Sequence, residues 1–414
     1  MKCRHCAQPL SLPFLDLGSA PPSNAYLNAT TLHAPEVWFP LRLLVCERCW
    51  LVQTEDHAGR DALFTQDYAY FSSFSASWLE HARNYVQRVA KQLALDAGSC
   101  VVEIAANDGY LLQYVQGANI PCYGIEPTAS TAAAARNKGL EIVERFFGVA
   151  LASELVANHR SADLIIANNV LAHVPDINDF VAGVAQLLKP YGVATFEFPH
   201  LLRMVNGCQF DTAYHEHYSY LSLTSVVSIF KANGLQVTDV DELSTHGGSL
   251  RVWAVRDDQQ GHPHEKIEGA SRVRAILEAE NSAGMRGASF YRNFQAEALR
   301  IKCETLRFLL QCREDVKKIG AYGAAAKGNT LLNFSGVRAD LLPWVVDKNP
   351  AKQNQFLPGS RIPIVDEAHL RRVQPDYVLI LPWNLREEVT AQLAYIRDWG
   401  GKFVVAVPRL EVFS

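Results

Sequence analysis

The sequence predicts an α/β protein in three parts: a small zinc-clasped β-rich module, a doubly wound nucleotide-binding sheet, and a second α/β unit of about half that size. Three observations carry the prediction. Four of the nine cysteines fall in two tight pairs, Cys3/Cys6 of CRHC and Cys46/Cys49 of CERC. From about residue 100 short apolar strands alternate with helical segments, and an acidic residue ends the second strand. Near residue 315 a strand, a Gly/Ala-rich turn and a helix begin the same alternation again.

The bulk numbers fit a modular globular chain. At about 100–200 residues per domain, 414 residues make two to four units. Hydrophobic residues at 49% and charged residues at 20% leave no composition for long disordered tails. A net charge of −4 gives no basic excess from which to expect nucleic-acid or membrane binding. The N-terminus MKCRHCAQPL lacks the apolar core of a signal peptide, so a cytoplasmic protein is expected, with thiols and metal ligands rather than disulfides. A monomer is expected.

In the N-terminal module, expected over residues 1–65, each Cys-x2-Cys knuckle turns two thiolates to one centre, and two knuckles complete the four-sulfur shell that zinc accepts. Four thiolates leave no open position for a catalytic water, so the zinc is read as structural. The competing readings are four unrelated buried cysteines or a redox dithiol. Residues 38–52 (WFPLRLLVCERCWLV) alternate as strands do.

The second unit is expected over residues 66–240. SWLEHARNYVQRVAKQLAL, residues 77–95, has helical spacing. VVEIAANDG is a buried strand ending in a turn, and CYGIE is a second strand ending in Glu126, about twenty residues on. This is the layout of a nucleotide-binding βαβ unit, in which the acid accepts hydrogen bonds from ribose hydroxyls. Alanines at 105 and 106 replace the glycines that a dinucleotide pyrophosphate requires, and S-adenosylmethionine has no pyrophosphate. ADLIIANNVLAHV and GVATFEFPH supply further strands, with INDFVAGVAQLLKPYG between them as a helix closing on glycine. The pattern reads as a class I methyltransferase fold, against the alternative of an α/β domain for another nucleotide or none. After YHEHYSY (214–220) a helix stops at Asn233–Gly234 and a strand follows.

The third unit is expected over 241–414. Residues 258–312 form a charged helical connector whose charges read as a solvated face. Then KKIGAYGAAAKGNTLLNF, PWVVD and DYVLILPWNLREEV give strand-turn-helix, a strand ending in Asp347, and strand-turn-helix again: half a Rossmann sheet. A Gly-rich turn opening a helix favours phosphate, and Lys327 adds a charge.

Taken in order, the cysteine pairs, DYAYFSSFS, EIAANDGYLL, ANNVLAHVPD, FEFPH, YHEHYSYLS, HGGSLR and YGAAAKGNTLLN resemble the nucleotide-sugar C-methyltransferases over essentially the whole chain. The resemblance implies C3 methylation of an NDP-4-keto-6-deoxysugar with S-adenosylmethionine, in branched-sugar biosynthesis, on a zinc module, a methyltransferase domain and a sugar-nucleotide domain. Such chemistry needs a base at C3, a donor or cation near the C4 oxygen, and the methyl group in line.

Matching the family's motifs places the base at His217, with Glu216 and Tyr214 supporting it and Tyr68 and His173 beside the ketone. His215 carries no role over. In a strand Glu216 and His217 would face opposite ways, so both serve one site only if the backbone is irregular there. The resemblance also implies that Glu103, Asn107, Asp108 and Gly109 line the amino-acid end of S-adenosylmethionine, that Glu126 binds its ribose, and that Asn168 and Asn169 sit by the sulfonium. For the sugar nucleotide it suggests Lys327 and Asn329 near the phosphates, His246, Gly247 and Ser249 near the sugar, and Trp383 stacked on a ring. The rival functions are O- or N-methylation of another phosphorylated small molecule, or a ligand-binding scaffold without catalysis.

Overall fold

The structure, a computed structural model, describes residues 1–57, 59, 71–259 and 267–414. Strands β1 (Leu12–Ala20), β2 (Phe39–Val45) and β3 (Val52–Thr54) run antiparallel and expose alternate residues on β1 and β2. The two cysteine knuckles are built alike. Ala7 and Trp50, each four residues after the first cysteine of its pair, donate their N–H to the carbonyls of Cys3 (2.9 Å) and Cys46 (2.8 Å) and sit at φ 59°. Those turns aim both pairs of thiols at one point.

The central sheet begins with β4 (Val101–Ile104), β5 (Cys122–Ile125), β6 (Ile142–Val143), β7 (Ala162–Asn168) and β8 (Leu188–Pro199), all parallel. β4 and β7 are almost wholly buried, because helices cover both faces of a parallel sheet. The helix before β8 ends at Leu187 rather than at Gly192, and β8 starts at Leu188. Lys189 precedes Pro190, whose ring disfavours helical backbone at that position.

The chain then leaves the central sheet. β9 (Ser219–Tyr220), the end of YHEHYSY, pairs with β3 and becomes the fourth strand of the zinc module's sheet. It returns with β10 (Leu235–Leu243) and β11 (Ser249–Arg256); β11 lies antiparallel between β8 and β10. The sheet order is β10-β11-β8-β7-β4-β5-β6, with β7 in the middle, the first central strand β4 beside it, and the last strand, β11, inserted antiparallel near one edge. The sheet therefore runs to Arg256, past the boundary expected at residue 240.

Helices at Ile267–Ser282, Ala288–Arg292 and Phe294–Glu314 follow. The expected solvated face holds for many of their charges and fails at Glu280, which is fully buried and bonded to the main chain of another helix. The last sheet comprises β12 (Ile319–Tyr322), β13 (Val345–Val346), β14 (Ile364–Val365), β15 (Tyr377–Ile380), β16 (Lys402–Val405) and β17 (Glu411–Phe413), in the order β14-β13-β12-β15-β16-β17. All but β17 are parallel.

The N-terminal module is shared between two cores. Its cysteines pack with the central sheet, while Phe14, Leu43 and Val52 join one hydrophobic cluster with the 294–314 helix and the last sheet. Phe14 stacks on Phe294 at 4.6 Å between ring centroids. The module thus wedges between the two α/β units.

Candidate active site

The metal site is built first. The sulfurs of Cys3, Cys6, Cys46 and Cys49 all lie within 4.8 Å of one another. Cys6–Cys46, Cys3–Cys49 and Cys6–Cys49 stand 3.5, 3.6 and 3.7 Å apart. Thiolates at about 2.3 Å from a tetrahedral zinc stand about 3.8 Å apart, whereas a disulfide would bring two sulfurs to about 2.0 Å. The donor set fits zinc. Gln53 Nε2 donates to Cys3 Sγ at 3.3 Å, and its own Oε1 accepts the Arg4 N–H at 2.9 Å, so β3 supports the ligands from behind.

That same strand holds the YHEHYSY loop. Thr54 Oγ1 donates to the His217 carbonyl at 3.1 Å, and the Thr54 N–H to the Tyr218 carbonyl at 3.1 Å. Within the loop, the His217 N–H closes a turn on the Tyr214 carbonyl at 3.0 Å. The turn brings the rings of Tyr214 and His217 together, tilted by 33° with centroids 3.9 Å apart. A regular strand could not do this, and the irregular backbone expected from the sequence is what forms.

His217 is 8% exposed and has both ring nitrogens engaged. Its Nδ1 lies 2.9 Å from the Thr212 carbonyl and its Nε2 2.6 Å from the Tyr214 hydroxyl. A carbonyl only accepts, so Nδ1 carries the proton and Nε2 is the basic nitrogen. Burial holds the imidazole well below its ordinary pKa, with His173 and Lys327 adding to the effect and the Thr212 carbonyl opposing it. The ring of His173 meets His217 edge-on at 4.6 Å, and burial lowers His173 to about 4. Two neutral imidazoles and a phenol therefore share one pocket.

Glu216 points elsewhere. Its Oε1 accepts from Asn24 Nδ2 at 3.1 Å, while Oε2 is buried without a hydrogen-bond partner among the described residues. Burial raises its carboxyl above the usual range. His215 turns to the zinc module's sheet, donating Nε2–H to the Phe39 carbonyl at 3.3 Å. Tyr68 lies outside the described residues.

The second cluster lies at the ends of β4, β5 and β7. Ala105, Asn107 and Gly109 all have positive φ, a tight loop that suits left-handed residues. Gly109 sits at φ 75°, and a methyl group there would stand 2.3 Å from Leu140 Cδ1 and 3.3 Å from Ala135 Cβ, so glycine is favoured. Glu126 accepts from the backbone N–H of Asn107 at 2.9 Å and of Thr128 at 3.0 Å, tying the first loop to the second. Glu103 is buried beneath, its carboxyl pushed well up by desolvation, with Asp108 and Glu126 adding. Asp108 Oδ1, Asn168 Oδ1 and Asn169 Oδ1 are buried acceptors without partners among the described residues. Such oxygens await a ligand rich in donors, and the ammonium and hydroxyls of S-adenosylmethionine are that kind of ligand.

Glu197 at the end of β8 binds the surrounding elements together. Burial opposes its ionisation, yet hydrogen bonds from His81 and the charge of Arg251 hold it at about 2. It also accepts from Thr245 Oγ1 at 2.9 Å, and its carbonyl accepts the Asn169 N–H at 2.7 Å. Asn169 Nδ2 in turn lies 3.3 Å from His246 Nε2, and Trp78 packs against His246 at 5.1 Å. Ser249, by contrast, is buried with its hydroxyl donating to the Thr245 carbonyl at 2.9 Å, which closes the HGGS turn.

The C-terminal unit reaches this space through Trp383, whose Cη2 would lie 2.5 Å from a methyl group at Gly247. Trp383 Nε1 donates to Asp211 Oδ2 at 2.8 Å, and Lys327 Nζ stands 4.5 Å over the Trp383 ring. Asn329 is not free to meet a phosphate with its amide nitrogen, which donates to the Ser23 carbonyl at 2.7 Å deep in the interior. The sequence reading missed Thr212, Asp211, Glu197 and His81. Asp211 and Thr212 stand just before YHEHYSY in QFDTAYHEHY, and Glu197 lies inside FEFPH; nothing in a polar residue's type marks it as facing a site.

Fold and site together define a zinc-clasped class I methyltransferase. Three family models match the chain in order: a zinc binding domain over residues 3–64, a methyltransferase domain over 78–240 and a C-methyltransferase C-terminal domain over 244–408. The chain is 32% identical over 415 residues to C-methyltransferase NovU of Streptomyces niveus, covering 100% of this chain and 97% of that protein. It belongs to that C-methyltransferase family, with S-adenosylmethionine as methyl donor and a structural zinc. Similar solved structures include magnesium protoporphyrin IX methyltransferase from Synechocystis PCC 6803 (16% identity, 49% of this chain and 100% of that one, TM-score 0.35). Another is the PH0226 protein from Pyrococcus horikoshii OT3 (12% identity, 46% and 95%, TM-score 0.36). Among the described residues, no helix is long and apolar enough to cross a membrane.

Proposed function

We propose that this enzyme methylates C3 of an NDP-linked 4-keto-6-deoxysugar through base-catalysed enolisation. The observation that carries the proposal is the fixed tautomer of His217: Nδ1–H is committed to the Thr212 carbonyl at 2.9 Å, which leaves the Nε2 lone pair as the base. In the resting site that lone pair accepts from Tyr214 at 2.6 Å. Substrate takes the place of this hydrogen bond, and the Tyr214 hydroxyl is released toward the sugar.

His217 then removes the C3 proton. The C3–H bonding pair becomes the C3=C4 double bond, and the carbonyl π pair moves to the C4 oxygen. When bound, S-adenosylmethionine supplies an electrophilic methyl group, which C3 takes with the enolate electron pair while the sulfonium becomes a neutral thioether. Asp108, Asn168 and Asn169 hold the donor through their unpartnered oxygens, and Glu126 keeps the loop beneath it closed. Buried His173 stands beside the base as a neutral donor, and Glu216 offers its unsatisfied Oε2 to a sugar hydroxyl. His246, Gly247 and Trp383 form the wall between the two units.

His217→Ala is expected to abolish methyl transfer while leaving the Kd for S-adenosylmethionine nearly unchanged, because the donor loops are tied to Glu126 and Glu197 and not to His217. Wild-type-like turnover by that variant refutes its role as base. Deuterium washing from solvent into C3 of the trial sugar separates this reading from O- or N-methylation, which needs no enolisation. A panel of dTDP-, GDP- and CDP-linked 4-keto sugars, read by the mass gain of one methyl, identifies the nucleotide.

A further inference from the structure

Resting on the C3 reading, we propose that Lys327 is the cation that binds the oxyanion formed at C4 when His217 takes the C3 proton. The C-terminal unit then completes the reaction centre in addition to holding the nucleotide, and Lys327 is moved from the phosphates, where its place on a Gly-rich turn put it, to the reacting carbonyl.

Lys327 is half-buried, and a lysine withdrawn from water is ordinarily neutralised by a carboxylate. Two other cations near the cleft obey that rule: Arg251 is paired with Glu197, and Lys352 stands 3.9 Å from Asp347. Lys327 has no carboxylate oxygen within 4.0 Å among the described residues. Its Nζ donates to the neutral Asn384 Oδ1 at 2.9 Å and rests 4.5 Å over the Trp383 ring. The carboxylate nearest in kind, Asp211, has turned Oδ2 to Trp383 Nε1 at 2.8 Å, and its Oδ1 is buried without a partner among the described residues. An ammonium has three donors, and among the described residues one of them is occupied, by Asn384.

Position supplies the second part. Asp211 and Thr212 are adjacent: the first bonds Trp383, on which Lys327 rests, and the carbonyl of the second bonds the base His217 at 2.9 Å. Two consecutive residues thus tie the base, and the ring on which the cation rests, to one short segment. Gly247, whose missing side chain leaves room for Trp383, brings the HGGS turn to the same place. Lys327 is also close enough for its charge to disfavour protonation of both His217 and His246. Burial lowers Lys327 itself to about 8, with Asp211 opposing, so at neutral pH it is charged.

The chemistry matches. Enolisation moves a full negative charge onto one oxygen, and a preorganised cation with free donors stabilises that charge more than it stabilises the neutral ketone. A phosphate would meet the same ammonium, so the test separates the two anions. The full-length zinc-loaded chain and its Lys327→Met and Lys327→Arg variants are incubated in deuterium oxide with S-adenosylhomocysteine. The substrate is whichever of dTDP-, GDP- or CDP-4-keto-6-deoxyglucose the wild type exchanges fastest. C3 exchange at saturation is read by mass spectrometry, and the Kd of the matching nucleoside diphosphate by calorimetry.

Lys327→Met should slow exchange by about 10²–10³-fold, the cost of losing one oxyanion donor, while the diphosphate Kd moves less than about threefold and Lys327→Arg recovers part of the rate. Zinc content and S-adenosylhomocysteine affinity equal to wild type show that the variant is folded. If methionine is not tolerated, Lys327→Gln carries the same test. A tenfold or larger loss of diphosphate affinity makes Lys327 a phosphate ligand and overturns the proposal, whatever the exchange rate. Undiminished exchange by the variant overturns it alone. Absence of exchange by the wild type on every sugar overturns the C3 reading and this inference with it.

Discussion

Replacing Glu280 should destabilise the protein more than any exposed charge in the same connector. Its carboxylate lies in the interior and accepts four hydrogen bonds: from the Leu223 N–H (2.6 Å) and His200 Nε2 (2.7 Å) on Oε1, and from the Thr224 N–H (2.8 Å) and hydroxyl (2.6 Å) on Oε2. Leu223 and Thr224 open the helix Leu223–Ala232, so Glu280 caps a helix end from a distant part of the chain and meets its positive dipole. Burial alone would raise this carboxyl, but the His200 and Thr224 contacts outweigh it and hold it below the usual value.

At about 1–1.5 kcal/mol net per bond, Glu280→Ala should lose about 4–6 kcal/mol. Glu280→Gln keeps the shape but turns an NH2 group toward one main-chain donor, and should lose about 1–3 kcal/mol. Urea unfolding followed by tryptophan fluorescence reads both, with the wild-type slope as reference. The order alanine, glutamine, wild type is the expected result. If Glu280→Ala unfolds within about 1 kcal/mol of wild type, the cap contributes little and the reasoning is wrong.

Two further outcomes follow from the site. Cys46→Ser should lower zinc content below one per chain and reduce methyl transfer by about 10–100-fold, because β3 links the ligands to the His217 loop through Gln53 and Thr54; the S-adenosylmethionine Kd should stay near wild type, and metal analysis with calorimetry checks both. The acid limb of kcat/KM should lie below the ordinary histidine value near 6.5, since burial lowers the pKa of His217 and the active neutral form persists as pH falls; a limb at or above that value contradicts His217 as the buried base.

Much of this architecture was legible because it is local. A Cys-x2-Cys pair carries its own turn geometry, and its two copies fold the same way around Ala7 and Trp50. Buried parallel strands are continuous apolar runs, and the loop after β4 declares itself by Gly109, whose positive φ favours glycine. The order of residues in YHEHYSY even requires an irregular backbone if the loop is to serve a site, and a turn between Tyr214 and His217 is found.

The illegible parts are those that depend on distant partners. Glu280 reads as one more charge on a soluble helix until tertiary packing buries it under another helix's first turn. Asn329 looks like a ligand-facing polar residue on a Gly-rich turn, yet its amide is used to bind Ser23. Asp211 and Thr212 acquire meaning only because Trp383 and His217 come to them from 172 positions later and from the following turn. The sequence by itself determined the cysteine clasp and the alternating α/β units, since these follow from short-range spacing and periodicity, while only the likeness to a family singled out YHEHYSY as the candidate for the base. Tertiary structure alone decided which His217 nitrogen is basic, where Glu216 points and that Lys327 meets Asn384 rather than a carboxylate among the described residues, because hydrogen bonding and desolvation are set by neighbours that the chain brings together only on folding.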